Sequence, residues 1–261
     1  MTTFTYGGTA LSSFGKVTVV DEYLDMPKRR GGNQVIPFHH GTVFVQKFFE
    51  ERRISMGIAV ITASATALET AMDTMRALFT PLTQQTLSMT LTDTTVRTAL
   101  ASVDDTINVH RISDKIAKVI VNFVLTEPFF RLSTAITDNT TAINATPNAM
   151  TVTNPGTVDE RNATIIIHGA FTSVAITNST NSAVLTYTGA ISTSETVTIG
   201  TLNGELYATL STGSTNVVGN CTHAGSATWL PLNVGANTLS IVNAGRDANS
   251  TVKVTFNAPF A

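Results

Sequence analysis

The adjacent imidazoles His39-His40 are the most metal-like pair in the chain. Metal ligands must converge, and neighbours on an extended chain splay to opposite sides. No carboxylate or third histidine lies close in sequence, so the pair reads as turn and interface polarity beside Pro37 and Gly41. Paired carboxylates could run acid–base chemistry on a glycosidic bond. Glu50-Glu51 and Asp104-Asp105 fall where hairpin tips are expected, which makes them solvated turn charges. Cys221 and His223 stand two apart and would share a strand face, but a Cys–His nucleophile also needs an orienting group. Asn220-Cys221-Thr222-His223 reads instead as a turn or strand edge with an incidental thiol. Lys28-Arg29-Arg30 could hold a phosphate. Three charges without interleaved aromatics suit a solvated loop or an intersubunit contact better. Tyr187, Tyr207 and Trp229 could form a sugar platform, because an aromatic face packs on the apolar face of a pyranose. Trp229 sits in apolar Thr228-Trp229-Leu230-Pro231-Leu232, which favours a core or rim place. No nucleophile elbow, phosphate loop, His-Glu-x-x-His or Gly-x-Gly-x-x-Gly occurs. The reading is therefore no catalytic residue, no metal, no cofactor and no enzyme.

The elements that carry these residues belong to a chain of 261 residues, enough for two ordinary domains. Hydrophobic residues make up 43%, which supplies a core, while charged residues are only 13%, about half the usual share. The Thr/Ser/Asn bias favours strands and turns. A formal net charge of −2 gives no reason to expect nucleic-acid binding through a basic face. The distribution says more. Residues 1–131 hold 13 of the 16 Lys and Arg and 12 of the 18 Asp and Glu. Two halves so unlike in charge density suggest two domains made for different surroundings. One cysteine excludes an intrachain disulfide. No run approaches the roughly 20 apolar residues of a membrane span, and Met1-Thr2-Thr3-Phe4-Thr5 lacks the pattern of a secretory leader.

Along the first half, Val17-Thr18-Val19-Val20 predicts a strand. Pro27, Lys28, Arg29, Arg30, Gly31, Gly32 and Asn33 then cannot form a core element. They predict a long exposed loop or arm from about Asp25 to Gly41, of the kind ordered by a partner. Phe48, Phe49, Glu50, Glu51, Arg52 and Arg53 predict a charged hairpin tip, followed by a strand over 53–62. Thr66-Ala67-Leu68-Glu69 fits a capping box, and Leu68, Met72, Met75 and Phe79 mark one helical face that Pro81 ends. Strands are predicted over 86–92, 96–103 and 115–125. Residues 134–146 read as a linker. Beyond it, short strands over 149–153, 163–168, 171–178, 183–187, 195–199, 206–210, 238–242 and 251–256 alternate with Gly/Asn/Pro turns. That spacing predicts a β-sandwich or jelly roll.

Some of these residues also carry a family resemblance. Val152-Thr153-Asn154-Pro155-Gly156-Thr157, Ile165-Ile166-Ile167-His168-Gly169, Leu185-Thr186-Tyr187-Thr188-Gly189 and Glu195-Thr196-Val197-Thr198-Ile199 belong to it. The most specific block is Trp229-Leu230-Pro231-Leu232 with Gly235-Ala236-Asn237-Thr238-Leu239, followed by Val252-Lys253-Val254-Thr255-Phe256. The second half thus resembles the C-terminal domain of the distal tail (Dit) proteins of long, non-contractile phage tails. The first half is similar more loosely, in strand pattern, in the Pro37-Phe38-His39-His40-Gly41 turn after a basic arm, in the single helix, and in Pro128-Phe129-Phe130. Gly200-Thr201 departs from the family, which often has Asp there.

The resemblance implies a mainly β protein: an N-terminal ring-forming, β-sandwich-like domain over 1–133, with one helix and a long arm, and a C-terminal galectin-like β-sandwich over 134–261. It implies a structural virion protein, a homo-hexamer at the distal end of the tail tube with a lumen for DNA. Its partners would be the tube protein, the tail-tip hub protein, and a receptor-binding protein or host surface glycan. It would be made in the bacterial cytoplasm and reside at the virion tail tip. A cyclic ring needs two different matching surfaces. The arm residues Pro27–Asn33 and the hairpin residues Phe48, Phe49, Glu50 and Arg52 are the expected intersubunit contacts. A carbohydrate-binding module using Tyr187, Tyr207 and Trp229 is the alternative.

Overall fold

The computed structural model describes residues 2–19, 25–35, 40, 42–45, 47–104, 107–140, 143–202, 205–226 and 228–261. The fold is mainly β, and the chain divides into compact units over residues 1–133 and 134–260.

In the first unit the strands are β1 (Thr3–Tyr6), β2 (Thr9–Ala10), β3 (Lys16–Val19), β4 (Arg29–Arg30), β5 (Gln34–Val35), β6 (Thr42–Val43), β7 (Phe48–Phe49) and β8 (Arg52–Ile61). Helix α1 (Ala65–Phe79) follows, then β9 (Gln85–Thr90), β10 (Val96–Val103), β11 (Asn108–Ser113), β12 (Ile116–Leu125) and β13 (Phe130–Leu132). The main sheet runs β2-β1-β9-β10-β12-β8-β3. One edge of β12 is shared: β11 pairs with its first half, and the end of β10 pairs with Phe123 and Val124. Strict alternation in β8 places Ile54, Met56, Ile58 and Val60 in the core. Val119, Val121 and Phe123 of β12 join them. Burying each such side chain contributes about 1.5–3 kcal/mol.

Helix α1 closes this core with Leu68, Met72, Met75 and Phe79, the face predicted from their spacing. Tyr6 stands between Phe123 and Phe79, with ring centroids 4.9 and 5.8 Å away. The helix cap differs from expectation. Ser64, not Thr66, accepts the backbone N–H of Ala67 at 3.1 Å, so the helix starts two residues earlier. Glu69 then lies too far along to cap, and pairs with Arg111 at 2.7 Å instead.

The second unit is a sandwich of two antiparallel sheets. Its strands are β14 (Ile136–Thr140), β15 (Asn148–Asn154), β16 (Thr164–His168), β17 (Phe171–Asn178), β18 (Ala183–Ile191), β19 (Thr196–Leu202), β20 (Glu205–Leu210), β21 (Thr215–Asn216), β22 (Cys221–Ala224), β23 (Gly235–Ala244) and β24 (Thr251–Phe256). One sheet has the order β14-β24-β16-β19-β20-β21, the other β15-β23-β17-β18-β22. Ile165, Ile167, Val197, Ile199, Val252 and Val254 face inward from the first, and Val174, Ile176, Leu185, Leu239 and Ile241 from the second. β14 falls inside the stretch expected to be linker. It lies at a sheet edge, pairing among the described residues only with β24, and an edge strand tolerates a polar sequence.

Buried asparagines fasten the segment 229–235 to this sandwich. Asn237 accepts from Asn233 N at 2.9 Å and from Asn178 Nδ2 at 3.0 Å, and donates to the carbonyls of Asn233 and Gly235 at 2.8 and 3.0 Å. Asn178 and Asn181 both donate to Pro231 O at 2.9 Å. Asn154, Asn178 and Asn237 are fully buried, which is tolerable because each amide is satisfied.

Candidate functional site

The arm is a β-hairpin. Arg29 pairs with Phe49 and Arg30 with Phe48, and further out Gln34 pairs with Val43 and Val35 with Thr42. The register slips by one between the two ladders. The returning leg carries the extra residue, with four residues between Val43 and Phe48 against three between Arg30 and Gln34; Gly31, beside the first ladder, sits at φ 100°, a conformation that a side chain would disfavour. Phe48–Arg53 is therefore not a tip, as the sequence suggested. It is the returning leg of the arm, continuing into β8. The hairpin pairing also supplies the aromatics that the sequence appeared to lack around the cations. Arg29 lies 5.6 Å from the ring centre of Phe49, and Arg30 lies 6.0 Å from that of Phe48.

Two features set the surface of the arm apart. Phe44 is 75% exposed and Phe48 50%, with Met26 and Val43 also exposed. Residues 26–49 contain four Lys and Arg and no carboxylate, a charge of +4 against −2 for the whole chain. Lys28, Arg29, Arg30, Gly31, Gly32 and Asn33 are all exposed, whereas Pro27 is buried. Arg52 is corrected as a contact residue: it is 4% exposed and belongs to the base of the arm. It donates to the carbonyls of Asp25 and Pro128 and lies over the Phe130 ring. Burial pushes its pKa below the ordinary arginine value, with the charge of Asp25 opposing. A cleft of about 490 Å³ opens there, between residues 25–28 and 50–53.

The second candidate surface is the edge pair of one sheet region. In the order β3-β8-β12-β11 every neighbour is antiparallel, so β3 and β11 run in opposite directions. Among the described residues no strand pairs with the outer side of β3 or of β11. All six residues of β11 are exposed, and their sequence lacks the alternation that would have announced a strand. Ser55, Gly57 and Ala59 leave the open face of this region shallow, and Ile61, Ile112, Ile116 and Ile120 border a groove of about 260 Å³ on it.

The other candidate residues are not brought together. His40 is exposed, while Pro37, Phe38, His39, Gly41 and Asp105 lie outside the described residues. Glu51 and Asp104 both pair with Arg53, at 2.8 and 2.6 Å. Cys221 is buried, and burial pushes its pKa up to about 11, so the thiolate needed for attack is scarce at neutral pH. The His223 ring is engaged elsewhere, with Ser226 O at 2.9 Å and edge-on to Trp229. Among the described residues no group of three or more His, Cys, Asp and Glu side chains is placed to hold a metal.

The expected aromatic platform does not exist as a trio. Tyr187 is 1% exposed and Trp229 4%, and the indole donates to Gly200 O at 2.9 Å. Rings enclosed in the sandwich offer no face to a sugar. Tyr207 alone is partly exposed, on the outer side of β20.

No family model and no curated protein matches the sequence. Among solved structures, the Dit protein (gp 19.1) of phage SPP1 matches at a TM-score of 0.71. The match covers 98% of this chain and 99% of that one, at 16% identity. The chain has the fold of a Dit protein. The SPP1 protein is described as a paradigm of the hub adsorption apparatus in phages that infect Gram-positive bacteria. Two structures of the phage P2 baseplate in its activated conformation, with calcium and with strontium, match over 100% of both chains at 9% identity, with TM-scores of 0.46. Those scores are too low to add to the comparison.

Proposed function

We propose that this chain is a structural component of a phage tail tip, with six copies forming a ring that joins the tail tube to the adsorption hub and leaves a lumen for DNA. The observation that carries the reading is the end-to-end correspondence of both units with a hub protein of an adsorption apparatus. The first unit would make the ring, and the sandwich would carry or touch a receptor-binding protein. No step in this role calls for an active site.

The strand directions support a ring. A head-to-tail ring needs two different surfaces that fit each other. The open edges β3 and β11 are such a pair, because setting β11 of one copy beside β3 of the next creates another antiparallel ladder. The cationic, apolar arm would reinforce it by reaching a neighbour whose remaining surface carries the chain's negative charge.

Light scattering on the purified protein tests this. Six copies of 27.7 kDa have a mass of about 166 kDa. Ile112→Pro, on the exposed strand β11, disturbs that edge and should lower the mass while leaving the circular-dichroism spectrum unchanged. A monomer at every concentration, both alone and with tail tubes added, would sink the ring.

A further inference from the structure

We propose that the outer face of the sheet β14-β24-β16-β19-β20, centred on Tyr207, binds a neutral sugar ring. Gly200 and Tyr207 are direct cross-strand partners on β19 and β20. A Cβ placed on Gly200 would lie 2.7 Å from the Tyr207 hydroxyl and 2.9 Å from two ring carbons. The ring thus occupies the space that a side chain at 200 would fill and lies down against the strand. One aromatic face is spent on the glycine backbone. The other accounts for the partial exposure of Tyr207 and forms an apolar platform on a sheet face that is otherwise mostly polar, apart from the half-buried Ile166. The backbone at Gly200 shows no left-handed φ, so conformational need does not explain the glycine. Its lack of a side chain is what seats the ring.

Polar groups surround that platform. Glu205 lies two residues before Tyr207 on the same side of β20 and is exposed. Thr198 and Thr209 are cross-strand partners in the adjacent row, and Thr164 projects from β16 on the far side of β19. Elsewhere on this face two hydroxyl pairs are already formed: Thr137 with Thr255 at 3.0 Å, and Thr196 with His168 at 2.9 Å. Among the described residues the hydroxyls of Thr164, Thr198 and Thr209 have no such protein partner. An apolar platform ringed by hydroxyls and one carboxylate suits a pyranose, which offers an apolar C–H face and a rim of hydroxyls. The carboxylate and the absence of an arginine cluster disfavour nucleotides and other phosphates. The site is open and shallow, so affinity per sugar is on the order of millimolar. Repetition of the site in an assembly would raise the avidity. The inference does not depend on the ring.

Saturation-transfer NMR on the full chain tests it, with glucose, galactose, rhamnose and N-acetylglucosamine as probes and inorganic phosphate as the charged control. At least one sugar should receive saturation on its ring C–H protons, and phosphate should not weaken the signal. Tyr207→Ala should abolish the transfer and Tyr207→Phe should keep it. Gly200→Ala is the sharper variant, because it retains the tyrosine but lifts its ring, and should weaken binding at least tenfold. Unchanged Trp229 emission in that variant shows that the fold is intact, since the indole bonds the carbonyl of residue 200 itself. No transfer to any of the four sugars overturns the proposal, as does transfer that survives Tyr207→Ala or is unaltered by Gly200→Ala.

Discussion

Replacing Asn237 by alanine should cost the second unit about 3–5 kcal/mol, although the residue is polar and contacts no ligand. Its carboxamide is fully buried and serves both sides of a turn. Truncation leaves the Asn233 N–H without its acceptor, takes from Asn178 Nδ2 one of its two acceptors (Pro231 O remains), and removes a donor from the carbonyls of Asn233 and Gly235. Each buried donor left unmade costs about 1–3 kcal/mol, and the lost carbonyl partners add to that. The whole domain is worth only about 5–15 kcal/mol, so the loss is a large share. Trp229 is the sole tryptophan and lies in the segment that these amides fasten, so its fluorescence reports on this unit alone. In urea, with a slope of about 2 kcal/mol per molar, the midpoint should fall by about 1.5–2.5 M. Adding Asn178→Ala should cost less than the two single losses combined, because the pair shares one bond. A midpoint within about 0.5 M of wild type would refute the claim that these amides hold the loop.

Three further outcomes are expected. Ser64→Ala should destabilise the first unit by about 1 kcal/mol, seen as a lower midpoint for loss of helical dichroism, because Ser64 supplies the side-chain cap at the N-terminus of α1. Cys221, with its thiol pushed up to about 11 by burial, should resist a thiol-reactive reagent at pH 8 until denaturant is added. Glu195 is held below its ordinary value by the Thr212 hydroxyl and by the N–H and hydroxyl of Ser192, so its NMR titration midpoint should fall below 4.5. A depressed folded-state value stabilises above the unfolded pKa, so the turn it braces should loosen only as the pH falls through the folded-state value.

The second unit was the easier half to read from residues. All eight strands expected after residue 148 are present, because their β-branched residues alternate and glycine or asparagine punctuates them. β14 and β22 escaped because each lies at or near a sheet edge, where one neighbour suffices and polar residues are tolerated. The face of α1 was legible from Leu68, Met72, Met75 and Phe79, but its cap was not, since Ser64 and Thr66 are equally good candidates in isolation. The arm was legible as something exposed, from Pro27 through Asn33. Its hairpin nature was not, because the pairing of Arg29 with Phe49 joins residues that no local pattern links. The same holds for Gly200 and Tyr207: a glycine and a tyrosine seven positions apart carry no signal until the pairing of β19 with β20 brings them face to face.

The two open edges also bear on how such a protein must be made. A subunit whose edges fit one another behaves like a bifunctional monomer in step-growth polymerisation: any copy can add to any chain end. Whether growth stops then depends on curvature alone. If the angle between copies closes after a whole number of additions, no edge is left and the product is inert. If it misses closure slightly, the same contacts run on as a filament. Substitutions that flatten the twist of β8 and β12, one strand in from the edges and outside the contact itself, should therefore change the product from discrete rings to insoluble fibres without removing a contact between copies.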